Sequence, residues 1–309
     1  MLRTTLLAAS RSHGARKLVE STPLTRPVVE RFVAGSTVDD AIRVTSELAG
    51  DGRYVTLDHL GEDTADTSQA TATVDAYLRL LRRLETAGLA PKAEVSVKLS
   101  AVGQFLPADG EKIALHNARR ICSAAGVVGT TVTLDMEDHT TTDSTLGILR
   151  ELRADFPWVG AVVQAYLKRT EQDCHELASQ GSRVRLCKGA YQEPASVAYQ
   201  SKAEVDLSYV RCLKVLMAGA GYPMVASHDP RLIAIAAELA NAAGRAANSY
   251  EFQMLYGIRP EEQRRIAERG NTMRVYVPYG DEWYGYFMRR LAERPANVAF
   301  FLRSLATTA

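Results

Sequence analysis

Beyond residue 50, short runs of apolar and β-branched residues alternate with longer stretches whose apolar positions recur every three to four residues. The short runs occupy 53–58 (RYVTLD), 94–100 (EVSVKLS), 130–137 (TTVTLDME), 159–166 (VGAVVQAY), 183–189 (RVRLCKG), 224–228 (MVASH), 250–255 (YEFQML) and 273–279 (MRVYVPY), which predicts eight strands. The intervening stretches read as helices. Val74, Tyr77, Leu78 and Leu81 follow i, i+3, i+4, i+7 spacing and stop at Gly88. Another helix opens with Asp229 as N-cap and Pro230 in its first turn. Strand and helix alternating eight times require parallel pairing, because each connection is long enough for a crossover helix. The pattern therefore predicts an α/β fold, a (β/α)8 TIM barrel over residues 51–309, close to the usual extent of about 250 residues. Residues 1–50 are expected to form an N-terminal helical arm.

Barrel interiors are ordinarily filled with Val, Ile and Leu, so charged and amide side chains on barrel strands need a reason. Lys98 and Ser100 close the second run, Asp135 and Glu137 the third, Gln164 and Tyr166 the fourth. Arg185 and Lys188 lie in the fifth, Ser227 and His228 end the sixth, Glu251 and Gln253 lie in the seventh and Tyr276 in the eighth. Alternation along a strand places Ser96, Lys98 and Ser100 on one face, and Glu251, Gln253 and Leu255 on another. Each has a plain structural reading: Lys98 with Asp135 as a buried ion pair, Gln164 as a loop cap, His228 as a satisfied core histidine. Together, polar residues at the C-terminal ends of so many strands point to a ligand there, where barrel enzymes keep their chemistry.

The stretch after the eighth run, 281–294 (DEWYGYFMRRLAER), places Tyr286 one helical turn before Arg289 and Arg290. Two adjacent guanidinium groups suit a small carboxylate or phosphate. A solvated basic helix end, favoured by the helix dipole, is the alternative. Trp283, Phe287 and Leu291 read as core.

Composition narrows the classes. A chain of 309 residues with 46% hydrophobic and 24% charged residues can bury one large core. Its net charge of +1 supplies no broad positive field, which argues against nucleic acid as a partner. No apolar run reaches the roughly 20 residues of a membrane-spanning helix, while peripheral membrane contact stays compatible. Cys122, Cys174, Cys187 and Cys212 lack the spacing of a zinc site, so no metal is expected, and they read as reduced thiols of a cytoplasmic protein. Arg3, Arg11, Arg16 and Lys17, with no acid before Glu20, have the composition of a mitochondrial transit segment. A basic helical arm is the preferred reading, since nothing after it looks like a cleavage site. GxSxG, P-loop and GxGxxG signatures are missing, which removes support for serine-hydrolase, nucleotide-hydrolase and Rossmann readings.

SVKLS (96–100), LDMED (134–138), QAYLKR (164–169), RLCKGAY (185–191), SHD (227–229), EFQMLYG (251–257), VYVPYG (275–280) and YFMRRLAERPAN (286–297) occur in this order, one per strand or strand–helix joint. In that set and order the chain resembles the proline dehydrogenase family. The resemblance implies a stand-alone barrel with bound FAD that oxidises L-proline to Δ1-pyrroline-5-carboxylate and passes electrons to a membrane quinone. It implies Lys98, Arg289 and Arg290 as carboxylate ligands, and Tyr276, Tyr286 and Leu255 as walls around the proline ring. Asp135 and Arg185 are the implied catalytic pair, with Arg185 reaching flavin N5 and Asp135 supporting the site. Met136 and Gln164 resemble flavin-ring contacts; Lys188, Gly189, Ala190, Ser227 and His228 resemble contacts to the ribityl, phosphate and adenine parts. Ser227 stands where many relatives have threonine, which keeps the hydroxyl. Glu62 resembles the acid that pairs with Arg289 to gate the site. Competing readings are a folate-type flavin barrel reductase, a Schiff-base aldolase using Lys98, and a non-catalytic barrel that binds proline or flavin.

Overall fold

The computed structural model describes residues 29–61 and 64–293, and in the last helix the side chains as far as Met288. Eight parallel strands close in chain order: β1 (Tyr54–His59), β2 (Ala93–Val97), β3 (Val132–Leu134), β4 (Gly160–Gln164), β5 (Arg183–Cys187), β6 (Tyr222–Ala226), β7 (Glu251–Leu255) and β8 (Met273–Tyr279), with β8 pairing back onto β1. Helix α1 (Val38–Gly50) precedes β1. The crossovers carry α2 (Thr67–Thr86), α3 (Gly110–Val128), α4 (Thr142–Asp155), α5 (Thr170–Ser179), α6 (Lys202–Ala218), α7 (Pro230–Ala242) and α8 (Pro260–Glu268), and α9 (Trp283–Glu293) follows β8. The expected (β/α)8 barrel is the architecture observed.

Local chemistry explains the elements. Val74, Tyr77 and Leu81 of α2 are fully buried, and Gly88 just beyond its end takes φ +69°. Asp229 caps α7 by accepting the Arg231 backbone N–H at 3.1 Å, with Pro230 in the first turn.

The strands are shorter than the apolar runs that announce them. β2 stops at Val97 and β3 spans only Val132–Leu134. Lys98, Ser100, Asp135, Glu137, Tyr166, Lys188, Ser227 and His228 therefore lie just beyond strand ends, not on the strands. Past the last ladder bond the chain turns over the rim and its polar groups find partners there. Ser100 opens a 3₁₀ turn (Ser100–Val102), and its backbone N–H and hydroxyl donate to Glu137 at 3.2 and 2.7 Å.

The alternation is inverted relative to an ordinary barrel. Val55, Leu57, Val95, Val97, Val132 and Leu134 face outward into the apolar layer beneath the helices. The inner positions carry Lys98, Arg183, Arg185 and Arg274 against Asp58, Glu94, Asp135 and Glu251, four cations balancing four carboxylates. Buried charge on this scale is sustained only by full pairing.

The described residues ahead of β1, from 29 on, belong to the same packing; the rest of the expected arm, 1–28, lies outside the described residues. Ala41, Val44 and Leu48 of α1 join the main core, so the boundary expected at residue 50 falls between α1 and a strand it packs against. The preceding strap crosses the barrel rim: Ala34 N–H donates to Pro278 O at 2.9 Å, and Gly280 N–H to Gly35 O at 3.0 Å. At Gly257 the strap comes so close that a Cβ would lie 1.8 Å from Arg31 O, and φ there is +73°. Phe32 and Val33 then pack with Leu60, Ile258, Tyr284, Tyr286, Phe287 and Met288 in a second apolar cluster.

Candidate active site

Arg185, rising from β5 into the barrel, is the centre of the site. Its Nε donates to Gln253 Oε1 at 2.6 Å, Nη1 to Ser96 Oγ and Asp135 Oδ1 at 3.0 and 2.8 Å, and Nη2 to Glu94 Oε1 at 3.2 Å. These partners come from β7, β2, the turn after β3, and β2 again, so barrel closure itself assembles them. Tyr276 of β8 covers the guanidinium at 5.3 Å from its ring centre and donates its hydroxyl to Asp135 Oδ2 at 2.7 Å. Burial and the neighbouring Asp135 charge push the Tyr276 phenol well above its ordinary range, so it is a permanent donor.

Lys98 pairs with Asp58 Oδ2 at 2.7 Å and lies 4.0 Å from Asp135 Oδ2. Burial raises the Asp58 carboxyl; Lys98 opposes that shift and the nearby Asp135 reinforces it. Beneath, burial alone would raise Glu94, but Arg274, Arg183 and Arg185 together bring it down to about 2. Lys98, Asp135, Arg185 and Tyr276, each expected at the site from the sequence, thus meet in one set. Leu255 and Tyr286 meet in the apolar cluster beside it. Glu62 lies outside the described residues, and so do the side chains of Arg289 and Arg290.

At the end of the neighbouring strand β4, Gln164 Nε2 donates to Met136 O and Glu137 O at 2.9 and 2.7 Å, the loop-capping role. Its Oε1 is buried and has no protein partner among the described residues. An acceptor stranded in this way suits the N–H of a bound heterocycle. Gly189, at φ +113°, lies so close to Tyr166 that a Cβ would come within 2.3 Å of the ring. The residues present fit a flavin on this side: the unsatisfied acceptor of Gln164, the buried Met136 whose carbonyl Gln164 holds, and Arg185 on the adjacent strand β5. Farther out, the structure gives the expected phosphate and adenine contacts partners of their own. Lys188 is held by Asp206 and Asp229 at 2.6 and 3.3 Å. Ser227 Oγ accepts the Asp229 N–H at 3.1 Å, His228 Nε2 accepts the Leu255 N–H at 3.0 Å, and Ala190 is exposed.

A family model described as proline dehydrogenase matches residues 41–303. The chain belongs to the proline dehydrogenase family. Proline dehydrogenase 1 of Bacillus subtilis is 38% identical over 305 residues, covering 99% of each chain. The proline dehydrogenase of Deinococcus radiodurans is 42% identical over 280 residues, covering 90% of each. Among solved structures, proline utilization A (PutA) from Bdellovibrio bacteriovorus, inactivated by N-propargylglycine, superposes with a TM-score of 0.79 at 27% identity, over 86% of this chain and 32% of that one. The chain therefore spans about a third of that solved protein. Membership makes it an oxidoreductase whose reaction is proline oxidation, the first step of proline catabolism. The family is one of flavoenzymes.

Several residues of the site went unnoticed in the sequence. Asp58, Glu94 and Arg274 are inner-face residues that bond to the expected ones or extend their network. Glu94 and Arg274 lie two residues before Ser96 and Tyr276, so the period of two alone would have placed them on the same face. Glu193 was also missed: it holds the loop after β5 by pairing with His139 and accepting the Tyr166 hydroxyl at 3.2 Å.

Proposed function

We propose that the chain binds FAD across the barrel mouth and oxidises L-proline to Δ1-pyrroline-5-carboxylate, the flavin supplying N5 as acceptor of the C5 hydride. The observation that carries this reading is the convergence of Lys98, Asp135, Arg185 and Tyr276, with the unsatisfied acceptor of Gln164 on the strand next to Arg185. Lys98, Arg289 and Arg290 are the proposed grip on the proline carboxylate; Tyr276, Tyr286 and Leu255 wall the ring. Arg185 is proposed to reach the flavin at N5, with Asp135 holding both Arg185 and the Tyr276 hydroxyl in place. Met136 and Gln164 are the proposed contacts to the flavin ring, and Lys188, Gly189, Ala190, Ser227 and His228 those to its ribityl, phosphate and adenine parts. Cations around the substrate favour the neutral amine, the form from which hydride leaves, and no side chain is required as an obligatory base. Glu62 and Arg289 are proposed to close the site as an ion pair.

N-propargylglycine, the inactivator of the Bdellovibrio protein, shares a secondary amine and a carboxylate with proline, the two groups such a site must recognise. Among the described residues no helix is long and apolar enough to cross a membrane. A membrane quinone, met from the cytoplasm by peripheral contact, is the proposed electron acceptor. The deciding experiment is anaerobic addition of L-proline to the purified protein. Yellow protein bleached by proline without NADH is the expected result; failure to retain flavin, or flavin that stays oxidised, overturns the reading.

A further inference from the structure

We infer that Glu94 and Gln253 are positioning residues that set both the aim and the effective charge of Arg185, and through it the reduction potential of the bound flavin. The inference rests on the flavin reading above. A guanidinium has five N–H donors. Four of those on Arg185 are committed inside the barrel, to Gln253, Ser96, Asp135 and Glu94, and the Tyr276 ring covers its face. One Nη2 hydrogen is left without a protein acceptor among the described residues. The arginine is thus a fixed single donor, aimed by the groups beneath it.

Those groups form a closed charge system. Glu94 divides its oxygens between Arg185 and Arg183, the latter at 2.9 Å, and accepts the Thr56 and Thr131 hydroxyls at 2.8 and 3.0 Å. Gln253 accepts from Arg185 and donates to Glu251 Oε1 at 2.5 Å, and Glu251 also holds Arg274 at 2.7 Å and the Tyr222 hydroxyl at 3.1 Å. Below Arg185, then, two arginines cancel two glutamates. In a buried, weakly screened interior, removing one member leaves a net charge that the flavin feels, whichever member it is.

This gives a test with opposite signs. Holoenzyme of each full-length variant is titrated anaerobically for the midpoint potential of its flavin. Glu94→Gln uncovers positive charge and is expected to move the equilibrium roughly tenfold toward reduced flavin, about 30 mV for a two-electron couple. Arg183→Met, at a side chain 19% exposed, uncovers negative charge and is expected to move it tenfold the other way. Gln253→Met keeps volume and charge while releasing Arg185 Nε; it should leave the KM for proline within threefold of wild type and lower kcat about tenfold. A merely structural role moves both charge variants together, through lost flavin or lower melting temperature. Potentials that stay at the wild-type value, or that shift in the same direction, overturn the inference. Should Glu94→Gln fail to fold, the Arg183 and Gln253 variants decide. Wild-type protein that binds no FAD overturns the flavin reading instead.

Discussion

Lys98 Nζ lies 2.7 Å from Asp58 Oδ2 and 4.0 Å from Asp135 Oδ2, so the lysine is anchored by β1 and only leans toward the carboxylate beyond β3. Asp58 in turn has one oxygen bonded to Lys98, while Oδ1 is buried without a partner among the described residues. Lys98→Met would strand that carboxylate, at a cost of about 3 to 5 kcal/mol. The expected outcome is a lower melting temperature together with a KM for proline raised at least tenfold. A variant with wild-type stability and KM would refute both the anchoring and the carboxylate grip.

Arg290 is the second arm of the proposed grip. Loss of a desolvated charge pair to a ligand costs about 2 to 5 kcal/mol. Arg290→Met is accordingly expected to raise the KM for proline by orders of magnitude, read from steady-state kinetics with an artificial electron acceptor. Near-normal proline kinetics would return the arginine pair to the reading of a solvated helix end.

Tyr276 serves two purposes that separate by substitution. Tyr276→Phe removes the hydrogen bond to Asp135 Oδ2 but keeps the ring. Tyr276→Ser removes the ring and opens space beside the substrate. The serine variant is expected to raise the preference for 4-hydroxyproline relative to proline at least tenfold in kcat/KM, with no such change for phenylalanine. Equal preference in all three proteins counts against a steric wall here.

Acid should act on the barrel interior through Glu94. Its carboxyl falls from 4.5 to about 2 in the folded chain, so the folded state holds the proton less tightly than the unfolded one. The stability it contributes is therefore fully present above pH 4.5 and drains away as pH falls toward 2. Melting temperatures measured on acidification should drop across that window, and the drop should be smaller in Glu94→Gln than in wild type.

The barrel was legible because Val and Leu alternate with polar residues in β1, β2, β3, β5 and β8, and because Gly88 and Asp229 mark helix boundaries by their backbone requirements. Strand lengths were not legible in the same way. TTVTL is β-prone, yet only Val132–Leu134 pairs as strand, since Asp135 and Glu137 beyond it bond with Ser96, Arg185, Tyr276 and Ser100 at the barrel mouth. The catalytic rim stood out through its polar residues at strand ends. The floor beneath it did not, because Glu94, Arg183 and Arg274 sit in the first or second position of their strands, away from the end where barrel enzymes keep their chemistry. Whether Lys98 would choose Asp58 or Asp135 depends on side-chain reach across three strands, and local spacing does not encode that.

Phe32 and Phe287 meet at 6.4 Å between ring centres, although they belong to opposite ends of the described chain. Until β8 and α9 have been synthesised, Phe32, Val33 and Leu60 lack Tyr284, Tyr286, Phe287 and Met288 of their cluster, and β1 has no partner to close the barrel. The rim is thus among the latest parts of the molecule to assemble, its contacts having the longest loops to close. Truncation after β8 would therefore do more than remove an arginine pair: it would leave an apolar face in water at the barrel mouth, and such a chain would self-associate before it could be assayed.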